Sequence, residues 1–143
     1  MSEAGQVSMT VGEVAKLCGL SVSTLHFYER KGLLAPVRTE GNQRRYGYGC
    51  THRVSLIRIA QACGMTLEET SQLLGPDDPE KPISLAAWRQ ALRTCEQRLH
   101  KQRSFLKALN EAIAPSLRCN CRSLEHCSRC GSQLQMLPEQ PST

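Results

Sequence analysis

Thr10-Val11-Gly12-Glu13-Val14-Ala15-Lys16-Leu17-Cys18-Gly19-Leu20-Ser21-Val22-Ser23-Thr24-Leu25-His26-Phe27-Tyr28-Glu29-Arg30-Lys31-Gly32 reads as two short helices with a break between them. Thr10 is an N-cap residue, and Glu13 three positions later completes a capping box. Val11, Val14, Ala15, Leu17 and Cys18 then recur at helical spacing until Gly19 ends the run. Ser21 opens the second helix, whose apolar positions are Val22, Leu25, Phe27 and Tyr28, and Gly32 closes it. Two short helices meeting at Gly19-Leu20 predict a helix-turn-helix over about residues 12–31. In that motif the second helix enters the major groove of DNA.

Downstream, Leu34 to Tyr48 has no helical period and is punctuated by Pro36, Gly41-Asn42 and Gly47. Val37 and Tyr46 flank the turn Glu40-Gly41-Asn42-Gln43, which predicts a short hairpin, a wing. Cys50 to Cys63 is helical, and Thr66-Leu67-Glu68-Glu69 caps a shorter helix ending at Leu74-Gly75. The predicted DNA-binding domain spans 9–76, and the Pro- and Asp-rich segment 77–83 is a linker. Ser84 then caps a long helix over 84–114, with Pro115 expected to stop it. Leu85, Trp88, Leu92, Cys95, Leu99, Leu106, Leu109 and Ile113 follow heptad steps, with polar Gln102 in the one gap. Such a helix of about 29 residues is roughly 43 Å long and would expose an apolar stripe. An antiparallel coiled coil in a homodimer covers the stripe; packing back on the chain's own N-terminal domain is the competing reading. The expected fold is mainly α: a winged helix-turn-helix, a long dimerisation helix and a C-terminal cysteine-rich loop.

Charge agrees with a polyanionic partner. The chain of 143 residues has a formal net charge of +5. Residues 1–60 carry eight Lys/Arg against four Asp/Glu, so most of the excess lies in the predicted DNA-binding half. Ser21, Ser23, Thr24, His26 and Tyr28 place small and polar groups on the second helix, where they suit base edges and phosphates. Lys31 follows that helix, and Arg44, Arg45 and Tyr46 stand in the wing, where paired arginines suit phosphates or a minor groove. No stretch is apolar enough to cross a membrane. The first residues lack a charged n-region and an apolar h-region, so a cytoplasmic location is expected.

Thiols decide the C-terminus. Four of the eight cysteines fall in Cys119-Asn120-Cys121-Arg122-Ser123-Leu124-Glu125-His126-Cys127-Ser128-Arg129-Cys130, a C-x-C-x5-C-x2-C pattern. So short a segment has no core in which to bury them, and in a reducing compartment such clustering favours a bound metal or iron–sulfur group. Four thiolates suit a 2Fe-2S cluster or tetrahedral zinc, and three with Ser116 or His126 is also open. The cluster-binding loop is 116–131, and 132–143 a polar, flexible tail. Cys18, Cys63 and Cys95 lie on apolar helical faces and read as small buried hydrophobes; nothing near Cys50 argues for reactivity. Cys127 to Cys130 as the dithiol of a redox enzyme fits poorly, because no strands surround it, and no catalytic residue is expected.

The order of these pieces resembles the MerR family of bacterial transcription regulators over residues 9–118. Thr10 to Ala15, Leu25-His26-Phe27-Tyr28-Glu29-Arg30-Lys31-Gly32-Leu33-Leu34, Gly41-Asn42-Gln43-Arg44-Arg45-Tyr46 and Ile59-Ala60-Gln61 carry the likeness, which is nearest to the redox-sensing SoxR branch. The resemblance implies a homodimer on double-stranded promoter DNA that distorts an overlong spacer so that RNA polymerase holoenzyme can engage both promoter elements. It further implies that oxidation of a 2Fe-2S cluster switches the dimer on. That branch carries C-x2-C-x-C-x5-C; Cys119, Cys121 and Cys127 match its last three positions, Ser116 stands at the first, and Cys130 is additional. The expected ligands are therefore Cys119, Cys121, Cys127 and Cys130, with zinc as the alternative occupant. Arg118, Arg122 and Arg129 would favour the reduced, more negative cluster. Trp88 matches a tryptophan that lies near the partner's cluster in that branch and is the expected signal relay; a core aromatic anchoring two helices is the other reading. A structural zinc site that only braces the dimer is one alternative, and the nearer rival is a regulator sensing a soft metal ion (zinc, cadmium or mercury) through the same thiols. Such sensors often place a ligand at the start of the dimer helix, and no cysteine stands near Leu85.

Overall fold

The capping residues set the helices of the first half. In the computed structural model, which describes residues 8–75, 79–128, 130 and 137–141, α1 spans Val11–Cys18 and α2 spans Val22–Arg30. Thr10 and Glu13 form the capping box, with the Glu13 carboxylate accepting from the Thr10 N–H at 2.7 Å. Gly19 ends α1 in the left-handed conformation, φ 64°, which glycine adopts without a side-chain penalty. Ser21 caps α2 by accepting from the Thr24 N–H at 3.1 Å.

Three short strands follow the order β1-β3-β2, all antiparallel. β1 is Ser8–Met9, β2 Val37–Arg38 and β3 Arg44–Gly47. β2 and β3 are the expected wing, with Val37 opposite Arg45, and Asn42 turns the chain at φ 58°. Arg38 braces that turn by donating to the Asn42 side-chain oxygen at 3.0 Å. β1 is not foreseeable from periodicity, because two residues hold no period; it pairs Met9 with Tyr46.

α3 is Gly49–Ala62 and α4 is Leu67–Leu74, the latter with a second capping box from Thr66 and Glu69. Val14, Leu25, Tyr28, Leu33, Tyr46, Val54, Leu56 and Ile57 form the core between these helices and the sheet. Cys63 is buried and Cys18 packs half-buried against that core, as small hydrophobes do. Burial pushes the Cys50 thiol up to about 12, with further help from the nearby Cys18.

α5 runs Leu85–Leu117, about 50 Å. Pro115 does not stop it, contrary to expectation. A proline removes one N–H and crowds one carbonyl a turn back, and so close to the end this costs a single bond. The Ala114 carbonyl still accepts from the Arg118 N–H at 3.3 Å. Ser116, placed in the loop by the sequence, is thus helical.

The chain divides into two units, Met1–Cys95 and Glu96–Thr143. In the first, Ala91 joins the core and Trp88 and Leu92 pack against it, so the early part of the seam serves the chain's own domain. In the second, Leu99, Leu106 and Ile113 are exposed. The early seam therefore follows the reading in which it packs on its own domain, while the later seam is left uncovered within the chain. Residues 1–7, part of the linker, Arg129 and most of the tail lie outside the described residues.

Candidate nucleic-acid interface and thiolate centre

α2 and the wing are fastened to each other by one acid. Glu29, near the end of α2, accepts from Arg44 Nε at 3.0 Å through one oxygen and from the Tyr46 hydroxyl at 3.1 Å through the other. Burial and the Glu29 carboxylate both push the Tyr46 phenol well above its usual range. Sequence reasoning missed Glu29, because partners fifteen and seventeen positions away leave no local pattern.

The structure sorts the expected DNA-facing residues by exposure. Ser23, Lys31 and Arg44 are exposed, and Thr24, His26 and Arg45 are half-buried. His26, Glu29, Arg30 and Arg44 line one shallow concavity between α2 and the wing. Ser21 is exposed but committed locally, its hydroxyl 2.8 Å from that of Thr24. Tyr28 and Tyr46 are 4% and 1% exposed, so the structure places both in the core rather than on a free surface. The Tyr28 hydroxyl donates to Gln61 on α3 at 2.9 Å. Both tyrosines position elements, and an amphipathic ring with a polar tip leaves the sequence silent on which end is wet.

The four C-terminal cysteines converge. The sulfurs of Cys119, Cys121, Cys127 and Cys130 all lie within 4.8 Å of one another. Cys119 Sγ stands 3.5 Å from Cys127 Sγ, and Cys121 Sγ 3.9 Å from Cys130 Sγ. Cys119 leaves the end of α5 through its N–H to the Ser116 carbonyl, and Cys127 is held by its N–H to Leu124. The Cys130 N–H donates to Cys127 Sγ at 3.3 Å. That bond leads the effects that bring the Cys127 thiol down to about 6. The Cys119 and Cys127 sulfurs push the Cys121 thiol up to about 12. Negative charge therefore settles on Cys127 before Cys121. Loading the site means releasing the remaining thiol protons, which is how thiolate sites ordinarily bind.

The donor set suits a soft metal. Tetrahedral coordination at a metal–sulfur distance of about 2.3 Å puts sulfurs about 3.8 Å apart, close to the two pair distances here. Four thiolates would equally hold a 2Fe-2S cluster, with Cys119, Cys121, Cys127 and Cys130 as its ligands, and the group would supply one-electron chemistry there. His126 is turned to Ser123, its Nδ1 2.9 Å from the hydroxyl, and is not among the converging ligands. Ser116 does reach them: its hydroxyl hydrogen-bonds Cys130, and with Cys121 both line one apolar pocket that also includes Ile113 and Leu124. Trp88 is remote from these in sequence and packs edge-on against His52 of α3, ring centres 5.9 Å apart.

Comparison with known proteins shows the family. The family description "MerR family regulatory protein" matches residues 10–46, and "MerR, DNA binding" matches residues 51–114. The chain belongs to the MerR family. MerR-family proteins are DNA-binding transcription regulators and not enzymes, so this chain is a transcription regulator. A SoxR homolog of Chromobacterium violaceum, described as an HTH-type transcriptional activator, is 32% identical over 84% of this chain and 81% of its own length. A mercuric resistance operon regulatory protein of Pseudomonas fluorescens is 35% identical over 81% of this chain and 78% of its own. Among solved structures, the regulator PbrR691 of Ralstonia metallidurans, in complex with lead(II), is 32% identical with a TM-score of 0.53, covering 87% of this chain and 98% of that one. Among the described residues no helix is long and apolar enough to cross a membrane.

Proposed function

We propose that this MerR-family regulator is a redox sensor: a homodimer that distorts promoter DNA according to the state of a 2Fe-2S cluster held by Cys119, Cys121, Cys127 and Cys130. The convergence of those four sulfurs within 4.8 Å carries the reading. Support for the cluster comes from the C-x-C-x5-C spacing shared with the SoxR branch and from the likeness to a SoxR homolog. When bound, a 2Fe-2S group supplies one-electron redox chemistry. The chain's own residues do the rest. The Cys130 N–H stabilises charge on the Cys127 sulfur, and Arg118 and Arg122 add positive charge beside the loop. Ser23, Thr24 and His26 on α2 face base edges, while Lys31, Arg44 and Arg45 grip phosphates. Tyr28 and Tyr46 hold α2 against α3 and the wing. The exposed Leu99, Leu106 and Ile113 meet a second copy, and Trp88 relays the state of the centre to the DNA-binding half. Bending and untwisting a promoter spacer costs a few kcal/mol, which the two wings and recognition helices offset through contacts.

A second reading has its own observation. Sulfur separations of 3.5 and 3.9 Å in two pairs are near those of a single tetrahedral ion, which the four sulfurs would reach by a small contraction, and relatives include a mercuric resistance regulator and a lead(II)-bound structure. Against it, Leu85 to Ala91 at the start of α5 contain no cysteine or histidine. Anaerobic purification followed by iron, sulfide and zinc analysis decides between them. A red-brown protein that bleaches with dithionite supports the cluster; a colourless protein with one zinc per chain rejects it.

A further inference from the structure

Gly49 opens α3, and Pro82 belongs to the segment leading into α5. They approach so closely that a Cβ on Gly49 would stand 2.9 Å from both Cα and Cβ of Pro82. Gly49 is not among the glycines of positive φ, so its backbone conformation does not call for glycine; the space does. Alanine would otherwise be the better residue in a helix. One turn along α3, His52 sets its ring against Trp88 at 84°. His52, Ile83, Leu85 and Trp88 together line a small cavity. The first turn of α3 is thus clasped twice by the approach to α5 and its first turn. On its other side the same turn is tied to the wing: β3 ends at Gly47 and α3 begins at Gly49, with Tyr48 alone between them.

We infer that this clasp, Gly49 against Pro82 and His52 against Trp88, is a positioning joint that sets the wing's angle relative to the start of α5. It thereby sets how far the bound duplex is distorted. The inference rests on the DNA-distorting part of the proposed function and is independent of what the thiolates bind. α3 buries Val54, Leu56 and Ile57, and a packed helix passes on a displacement at its end instead of absorbing it. The short strand β3, bearing Arg44 and Arg45, is the element directly attached to that end. Gly49→Ala forces the Pro82 backbone itself to give way, because Cα is one of the atoms met. Pro82→Gly loosens the same contact from the other side, and His52→Ala removes the ring contact from an exposed position.

The test uses the full-length protein as purified, in one fixed state of its thiolate site, and an operator selected by the native protein from random duplex DNA. 2-Aminopurine at the centre of the operator reports distortion. For Pro82→Gly and His52→Ala the thermal midpoint should stay near the native value, while Gly49→Ala, which crowds the Pro82 backbone, should lower it by roughly 5 °C. Operator Kd should stay within about 3-fold of native for all three. The central fluorescence change on binding should differ from native by about 3-fold or more in Gly49→Ala, with Pro82→Gly and His52→Ala also displaced from native. Native-like fluorescence in all three overturns the joint. So does a loss of affinity that only follows a lowered thermal midpoint, since the contacts would then be structural. Oxidised and reduced native protein compared in the same assay test the redox reading separately, so either idea can fail alone.

Discussion

Glu29 holds Arg44 at 3.0 Å across the gap between the recognition helix and the wing, and its second oxygen takes the Tyr46 hydroxyl. The Glu29 side chain is 15% exposed and that of Arg44 40%, so the acid sits under the base it orients. Glu29→Ala leaves the buried Tyr46 hydroxyl without its acceptor, which should cost about 1–3 kcal/mol in urea unfolding. It also adds one net positive charge beside the interface and releases Arg44. Binding to random duplex should therefore tighten while discrimination for the operator falls, a combination that anisotropy titrations at two salt concentrations would resolve.

Ser21 and Ser23 look equivalent in the sequence but not in the structure. Ser21 is the N-cap of α2, and Ser21→Ala should lower stability by about 1 kcal/mol. Ser23 is exposed, with no cap to supply. Ser23→Ala should leave the unfolding midpoint unchanged and weaken operator binding. Equal effects of both variants on stability would contradict the assignment.

The helix boundaries were legible where a side chain caps the backbone locally. Thr10, Ser21 and Thr66 each announce a helix that the structure contains. The thiol cluster was legible for a similar reason, since its ligands crowd a short span. What was not legible depends on distant partners. Tyr28 meets Gln61 thirty-three positions away, β1 exists because β3 pairs with it, and the seam of α5 divides where its own domain ends. Pro115 misled because a stop signal weighs less in a last turn than inside a helix.

Alkaline pH should destabilise the DNA-binding unit. Burial raises the Cys50 thiol to about 12 from an ordinary 9.0, and Cys18, Tyr28 and Tyr46 are raised as well. Each group is protonated in the folded state at a pH where the unfolded chain has released its proton. The folded state then binds more protons, so stability falls as pH rises through about 9 toward 12. Thermal melts from pH 8 to 11 should show this decline, and Cys50→Ala should lessen it. A flat profile would mean that these groups are not buried in solution.

Leu99 and Leu106 are 49% and 59% exposed on α5, a heptad apart. If a second copy covers them, Leu106→Glu buries an unpaired charge in the interface and should raise the dimer dissociation constant by about 100-fold or more. Sedimentation equilibrium measures this directly. A native chain that sediments as a monomer at micromolar concentration would remove the homodimer from the proposal.

Ser116 and Cys130 meet at one corner of the thiolate centre although fourteen positions separate them. The SoxR-branch pattern puts a cysteine where Ser116 stands, and here Cys130 brings a thiol back beside that same residue. The sequence displacement is thus largely undone in space. Cys130→Ala should leave three thiolates and lose most of the bound metal. The double variant Ser116→Cys/Cys130→Ala rebuilds C-x2-C-x-C-x5-C and should recover the centre, because the new sulfur starts from the end of α5 and reaches the corner that Cys130 vacates. Metal analysis and visible absorption of the three proteins, each purified without oxygen, check this. Full metal content in Cys130→Ala would show that Cys130 is not a ligand. Failure of the double variant alone would show that the end of α5 cannot deliver a sulfur to that corner.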